Sequence, residues 1–370
     1  MKLTRFVLLL ICISVLIVNL SAQTDKKEDD DEVIRVDTQL VDVPIAVTDK
    51  SGKPLLDLKQ SNFIIYEDGK KQETTEFTAT NAPFEVALLL DTSGSTRSDL
   101  TLIQRAAANF IASLRTGDKV SVISYKTERN STQAFAMSEV LSGLTDDRDK
   151  LKTILEAVKT SNGTPYYDSL LQIAEKVFGK AAKDDFRGRR ALVALTDGVD
   201  SVSAAEFDEA KEELEKVGIT CYFIQVNTRE FFEENLLGDC QSAIRFSVAQ
   251  IRRYYRTYYP RSNVEKTFNF CGLGDFERLA MSKGLYELAD KQMKELARNS
   301  GGRVFPVEDL SEARNAFKAV ADEIGTKYSL GYYSSNEKRD GTYRKIKIEL
   351  KGVPTGAQIR AREGYTAPTN

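Results

Sequence analysis

Among its 370 residues the sequence has no histidine. That absence removes Ser-His-Asp and Cys-His nucleophile systems, His-ligated zinc or iron, and the usual proton shuttle near neutral pH. Hydroxyls and carboxylates are left to carry any chemistry. A surplus of one charge is missing as well: 52 basic residues stand against 55 acidic ones, a formal net charge of -3. No global basic field exists to hold a polynucleotide, so nucleic acid is not expected as a partner. Cysteine is scarce, with four in the chain. Beyond residue 22 no apolar run is long enough to cross a bilayer.

What is present is ordinary for a globular protein, 41% hydrophobic and 29% charged residues, in a chain longer than one core usually organises. Two domains are expected. Residues 1–22 read as an export signal, with Lys2 and Arg5 at a charged end, an apolar run from Phe6 to Val18, and Leu20-Ser21-Ala22 at the cleavage site. The run is shorter than the roughly 20 residues a membrane span needs. Cleavage near Gln23 is therefore expected, leaving an exported, periplasmic or extracellular protein with no stable membrane span; retention as an anchor is the alternative. Residues 23–32 are highly charged and read as a solvated tether.

Residues 33–82 alternate with period two, placing Val41, Val43, Ile45 and Val47 on one face, then a second strand Phe63 to Glu67 that meets the turn signal Asp68-Gly69. After Ala82-Pro83 the pattern changes. Apolar runs at 85–91, 119–125, 190–196, 219–226 and 302–307 alternate with amphipathic helices, such as the one carrying Ile103, Ala107, Phe110 and Ile111. Near-continuous apolar strands between such helices indicate an α/β domain over 83–326, a doubly wound, mostly parallel sheet covered on both faces. Residues 227–283 fit neither strand nor crossover helix and read as an insertion. Period two returns over 327–370, with Tyr328, Leu330 and Tyr332, then Ile346, Ile348 and Leu350. Each flank holds about three strands and is marginal alone. The two flanks are expected to share one small β-sandwich into which the α/β domain is inserted, with two independent β appendages as the alternative.

The mature chain keeps three cysteines, Cys221, Cys240 and Cys271. Export permits disulfides, and an odd count leaves at least one thiol without an intramolecular partner. Cys240 and Cys271 bracket the insertion and are expected to pair, while Cys221 lies in an apolar strand as a buried thiol; three free cysteines is the competing reading. The insertion also packs four arginines and four tyrosines into residues 252–261. The expected role is packing, with tyrosines on the α/β body and arginines in water. A patch for sugars or acidic polymers is the alternative.

Chemistry concentrates at strand tips. The run 85–90 leads into Asp91-Thr92-Ser93-Gly94-Ser95, the segment Asn162-Gly163-Thr164-Pro165 opens a helix, and Thr196-Asp197-Gly198 ends another apolar strand. Ligands of doubly wound sheets sit at the carboxyl ends of strands, so these pieces are expected to share one crevice, with their acids exposed and contributing little to the core. Asp91, Ser93, Ser95, Thr164 and Asp197 offer two carboxylates and three hydroxyls. An all-oxygen set suits a hard cation, Mg2+ or Mn2+. Two negative charges balance a divalent ion and leave it able to accept one more anionic oxygen, which an aspartate or glutamate of a protein partner would supply.

Together, Asp-x-Ser-x-Ser, Gly-Thr-Pro and Thr-Asp-Gly in this order resemble the metal-ion-dependent adhesion site of von Willebrand factor type A domains. The resemblance implies that Ser93, Ser95 and Thr164 approach the metal while Asp91 and Asp197 bind it or hold its waters. Val-Thr-Asp-Lys-Ser-Gly-Lys-Pro, Phe-Ile-Ile-Tyr-Glu-Asp-Gly-Lys, Ser-Gly-Gly-Arg-Val-Phe, Tyr-Ser-Leu-Gly-Tyr-Tyr and Arg-Glu-Gly-Tyr further resemble an exported type A subfamily of Acidobacteria. The function implied is a non-catalytic, metal-dependent protein-binding or adhesion module. Two alternatives stand beside it. One is a Mg2+-dependent phosphotransferase with Asp91 as nucleophile, although Ser93 occupies the place of a second acid and no phosphate-binding lysine motif is evident. The other is a structural envelope protein with an inactive metal site.

Overall fold

The structure, a computed structural model, describes residues 40–80, 82–94, 99–131, 133–180, 186, 188–261 and 269–369. The expected export signal and charged tether lie outside them. Among the described residues no helix is long and apolar enough to cross a membrane.

The chain runs in three stages. The first supplies β1 (Leu40–Thr48), β2 (Phe63–Glu67), β3 (Lys70–Gln72) and β4 (Thr74–Thr78). The second begins with β5 (Glu85–Leu90), α1 (Leu100–Ser113), β6 (Lys119–Arg129), β7 (Ala134–Val140), α2 (Arg148–Ala157), α3 (Tyr166–Gln172), β8 (Arg190–Thr196), α4 (Phe207–Lys216) and β9 (Thr220–Val226). It continues through α5 (Arg229–Leu236), α6 (Val248–Tyr258), α7 (Asp275–Ser300), β10 (Arg303–Val307) and α8 (Ala313–Ile324). The third returns to strands, β11 (Tyr328–Tyr333), β12 (Tyr343–Leu350), β13 (Gln358–Ala361) and β14 (Gly364–Thr366).

The second stage forms a six-stranded sheet in the order β10-β9-β8-β5-β6-β7. Every residue of β5 and β8 is buried, as expected where helices cover both faces. Val86, Leu88 and Leu90 meet Phe110 of α1 and Phe317 of α8 on one side. Ala87 and Leu89 meet Leu170 of α3 and Met293 of α7 on the other. All pairings are parallel except β7, which turns back beside β6. This edge strand escapes the apolar-run criterion because it has no neighbour on its outer side, and its Phe135 is exposed.

The flanks build two four-stranded sheets, β13-β1-β11-β4 and β14-β12-β2-β3. Both sheets mix the two ends of the chain: Val43 faces Leu330 across β1 and β11, and Ile65 faces Ile348 across β2 and β12. One shared core results, including Val43, Ile45, Ile65, Tyr328 and Tyr332. The expected sandwich is therefore present, with the α/β body inserted between its halves. Buried Glu67 crosses this core. It accepts hydrogen bonds from the hydroxyls of Tyr332 at 2.8 Å and Tyr365 at 2.9 Å, with Arg344 Nη1 at 3.5 Å.

The chain passes between sandwich and body twice, and Arg189 holds both passages. Its Nε donates to the Pro83 carbonyl at 3.1 Å, Nη2 to Ala82 at 2.6 Å, and Nη1 to Lys327 at 2.9 Å. Arg115 repeats the pattern, donating to the carbonyls of Thr80 at 2.8 Å and Gly325 at 2.6 Å.

The irregular stretch after β9 is a helical cap. Helices α5 and α6 and the first turns of α7 enclose their own cluster, with Leu236, Phe246, Ile251, Phe270 and Leu285. Cys240 and Cys271 are joined by a disulfide, and Cys221 is a buried free thiol. The 26-residue α7 starts at Asp275, so the cap passes into regular helix before residue 283. In the tyrosine-rich segment, Tyr254 packs against the Cα of Gly284, and the Tyr258 hydroxyl donates to the Gly284 carbonyl at 2.9 Å. The arginines do not all stay in water. Arg253 is drawn in to pair with buried Asp200 at 3.0 Å, while Arg256 remains at the surface beside Glu206.

Candidate metal centre

Strands β5 and β8 lie side by side in parallel, with Leu90 opposite Leu195. Asp91 and Asp197 therefore leave the carboxyl ends of neighbouring strands, where a doubly wound sheet opens its crevice. The Asp91 backbone N–H donates to the Leu195 carbonyl at 2.9 Å, extending the ladder by one residue. Its carboxylate accepts from the Ser93 N–H at 3.0 Å and from the Thr196 hydroxyl at 2.8 Å. Asp197 accepts from the Val199 N–H at 2.9 Å and from the Thr228 hydroxyl. Gly198 between them has φ of +74°, and a Cβ there would sit 2.9 Å from Met293 of α7. Only glycine fits this turn without displacement.

Thr164 comes from the loop before α3. Its N–H donates to the Ser201 hydroxyl at 2.8 Å, and its carbonyl accepts from the Ser201 N–H at 2.9 Å. Asp200 secures the same loop by accepting the N–H groups of Tyr166 at 2.9 Å and Tyr167 at 3.3 Å at the start of α3. Arg253 then neutralises Asp200. The cap thus helps fix a loop of the candidate centre.

Four of the five expected ligands converge: Asp91, Ser93, Thr164 and Asp197. Ser95 lies outside the described residues. The expectation of exposed acids is corrected, since Asp91 is 2% and Asp197 9% exposed. The neighbouring strand ends and the cap above them shut out most solvent. Burial, followed by the nearby charge of Asp91, pushes the Asp197 carboxyl up to about 7. Burial also raises Asp91, against hydrogen bonds from Ser93 and Thr196 that favour its charged form. Two acids side by side in a dry place each resist ionising beside the other, and a cation between them removes that penalty.

Ser93, Thr164 and Asp197 face a cleft of about 370 Å3 whose opposite wall is the cap, including Phe231, Ile244 and Tyr286. Among the described residues no group of three or more His, Cys, Asp or Glu side chains gathers to hold a metal. The donor set is instead two carboxylates with hydroxyls, all oxygen, and such a set fits a hard divalent cation.

Sequence reasoning missed two neighbours of Asp197. Thr228 follows β9, the next strand of the sheet, and its hydroxyl lies 2.8 Å from the Tyr286 hydroxyl of α7. The strand-tip rule that selected Asp91 applies equally to Thr228. No local pattern distinguishes Tyr286, which the fold delivers from a distant helix.

Residues 86–199 match the family model of the von Willebrand factor type A domain. The match spans all five expected ligand positions. No curated protein matches the chain. Among solved structures, the conserved hypothetical protein BatB from Bacteroides thetaiotaomicron is similar at 18% identity and a TM-score of 0.38, over 65% of this chain and 97% of that one. A von Willebrand factor type A protein from Catenulispora acidiphila is similar at 11% identity and a TM-score of 0.41, over 90% of this chain and 75% of that one. The proximal thread matrix protein 1 of the mussel byssus, with a zinc-occupied MIDAS motif, is similar at 12% identity and a TM-score of 0.40, over 65% and 48%.

Proposed function

We propose that Asp91, Ser93, Ser95, Thr164 and Asp197 form a Mg2+ or Mn2+ site in a non-catalytic protein-binding module of an exported bacterial protein. The observation that carries this reading is the meeting of Asp91, Ser93, Thr164 and Asp197 at neighbouring strand tips, beside an open cleft. The family match over the same residues supports it. When bound, the cation would supply positive charge between the two carboxylates and an open position for an anionic oxygen. The protein's own residues do the rest. Thr196 and Thr228 orient the two carboxylates, Ser201 holds the Thr164 loop, and the cap limits the water that competes for the site. An aspartate or glutamate of a protein partner is the expected anion.

Calorimetric titration of the full chain with MgCl2 and MnCl2 tests the metal. Undiminished affinity in Asp91→Ala rejects the assignment. A pull-down from bacterial envelope extract, with and without chelator, tests the partner and its dependence on the ion. The phosphotransfer reading is tested by trapping Asp91 with beryllium fluoride, and it is weakened by Ser93 standing where a second acid is needed.

A further inference from the structure

We infer that the helical cap makes the metal centre selective for an extended acidic peptide, in which the metal-seeking carboxylate is flanked by a large apolar side chain and a second acid. The inference rests on the proposed metal centre and concerns the wall above it.

The two sides of the cleft differ in chemistry and in origin. Ser93, Thr164 and Asp197, from the strand-tip loops, give a polar floor. Phe231, Phe232, Ile244 and Phe246, from the cap, give an apolar wall. Of these, Phe231 is 50% and Ile244 36% exposed, so apolar surface faces water inside a concavity. Concave apolar surface beside a few converging polar groups is the usual form of a ligand site. The wall is also held from behind. Phe232 packs on Phe246 with ring centres 5.4 Å apart, Phe246 packs on Phe270 at 6.0 Å, and the Cys240–Cys271 bond closes the chain around them.

Charge selects the occupant. Once a divalent cation balances Asp91 and Asp197, the charged side chain left on the lining among the described residues is Arg245. Its Nε donates to the Cys240 carbonyl at 3.0 Å, which ties the guanidinium to the disulfide-bonded loop. A second carboxylate is the natural partner for the remaining face of that planar donor fork. A small dicarboxylate would meet the two cationic points without covering Phe231 and Ile244. A peptide with adjacent apolar and acidic side chains meets all three.

The test uses the full chain in MnCl2 and three fluorescent peptides, Gly-Phe-Asp-Glu-Gly, Gly-Gly-Asp-Gly-Gly and Gly-Phe-Asn-Glu-Gly, read by anisotropy. The first is expected to bind at least 10-fold more tightly than either of the others, and chelator is expected to abolish its binding. Phe231→Ala with Ile244→Ser is expected to shrink the advantage over the glycine-flanked peptide at least 3-fold. Arg245→Ala is expected to do the same for the advantage over a fourth peptide, Gly-Phe-Asp-Gly-Gly, which differs from the first in the Glu alone. Calorimetric Mn2+ affinity and the thermal melt of each variant check that the centre and the fold persist. Equal affinity for the first two peptides, or an advantage that survives the wall variant, overturns the inference while Mn2+ binding keeps the metal centre. Absence of Mn2+ binding overturns both.

Discussion

Glu67 and Asp197 are both buried acids, one inside the sandwich and one at a strand tip of the α/β sheet. Around Glu67 the chain supplies everything a carboxylate asks for, with two tyrosine hydroxyls, a serine hydroxyl and the Arg344 guanidinium. Asp200, a few residues beyond Asp197, has its arginine as well. Asp197 receives a threonine hydroxyl and one backbone N–H, and the charge that burial sets beside it is another acid, Asp91. A carboxylate kept for architecture comes with a countercharge from its own chain. At the tip of β8, Asp197 meets no such countercharge among the described residues.

The contrast is broken most forcefully by removing a built-in partner. Arg344→Met leaves Glu67 buried against hydroxyls alone and is expected to cost about 3–5 kcal/mol in urea unfolding. Adding Glu67→Gln should recover much of that loss; a single variant as stable as the parent would mean that Arg344 does not sustain Glu67. The covalent bond in the cap comes next. Cys240→Ser with Cys271→Ser removes the constraint on a separation of 31 residues and is expected to cost about 3 kcal/mol, by the chain-entropy account. Hydrogen exchange should quicken in α5 and α6 and leave β5 and β8 unchanged.

Lys327 is the cationic counterpart of Asp197. Burial pushes its ammonium down to about 7, against the opposing pull of Glu323, and its Nζ donates to the Gly301 carbonyl. The folded value lies below the ordinary 10.5, so the unfolded chain holds the extra proton across that interval. Stability should therefore rise with pH from about 7 towards 10, by at most about 1.4 kcal/mol per unit from this group. Urea unfolding of Lys327→Met at pH 7, 8 and 9 should show a flatter slope and greater stability at pH 7. The smallest effect on stability is expected from Asp197→Asn, within about 1 kcal/mol of the parent in chelator, because neutralisation relieves repulsion from Asp91. The same change should weaken Mg2+ binding at least 100-fold by calorimetry. A loss of several kcal/mol would place Asp197 with Glu67 among the architectural acids.

Much of the fold was legible because a parallel strand covered on both faces has to be apolar almost throughout, and β5, β8 and β9 are. The acids were legible because they interrupt those runs at the carboxyl end, where a doubly wound sheet opens. The sandwich followed from arithmetic on strands too few to stand alone. Other features left no local trace. Edge strand β7 has one neighbour and a mixed pattern. Tyr286 reaches Thr228 from a helix 58 positions away, and Arg253 looks like its exposed neighbours until the fold sets it beside Asp200. Periodicity reports which side of an element meets a core; it is silent on what a strand tip faces once another segment folds over it. The burial of Asp91 and Asp197 was missed for that reason.

Arg189 makes the two passages between sandwich and body a single fastening. A protease cut at either passage would leave the other intact, with the severed carbonyls still gathered on one guanidinium. Such a nicked protein should separate into two bands in denaturant yet travel as one particle in native buffer. The same arrangement divides tension. A pull applied at the strand tips and resisted at the sandwich enters by two backbones in parallel, so neither carries the whole force.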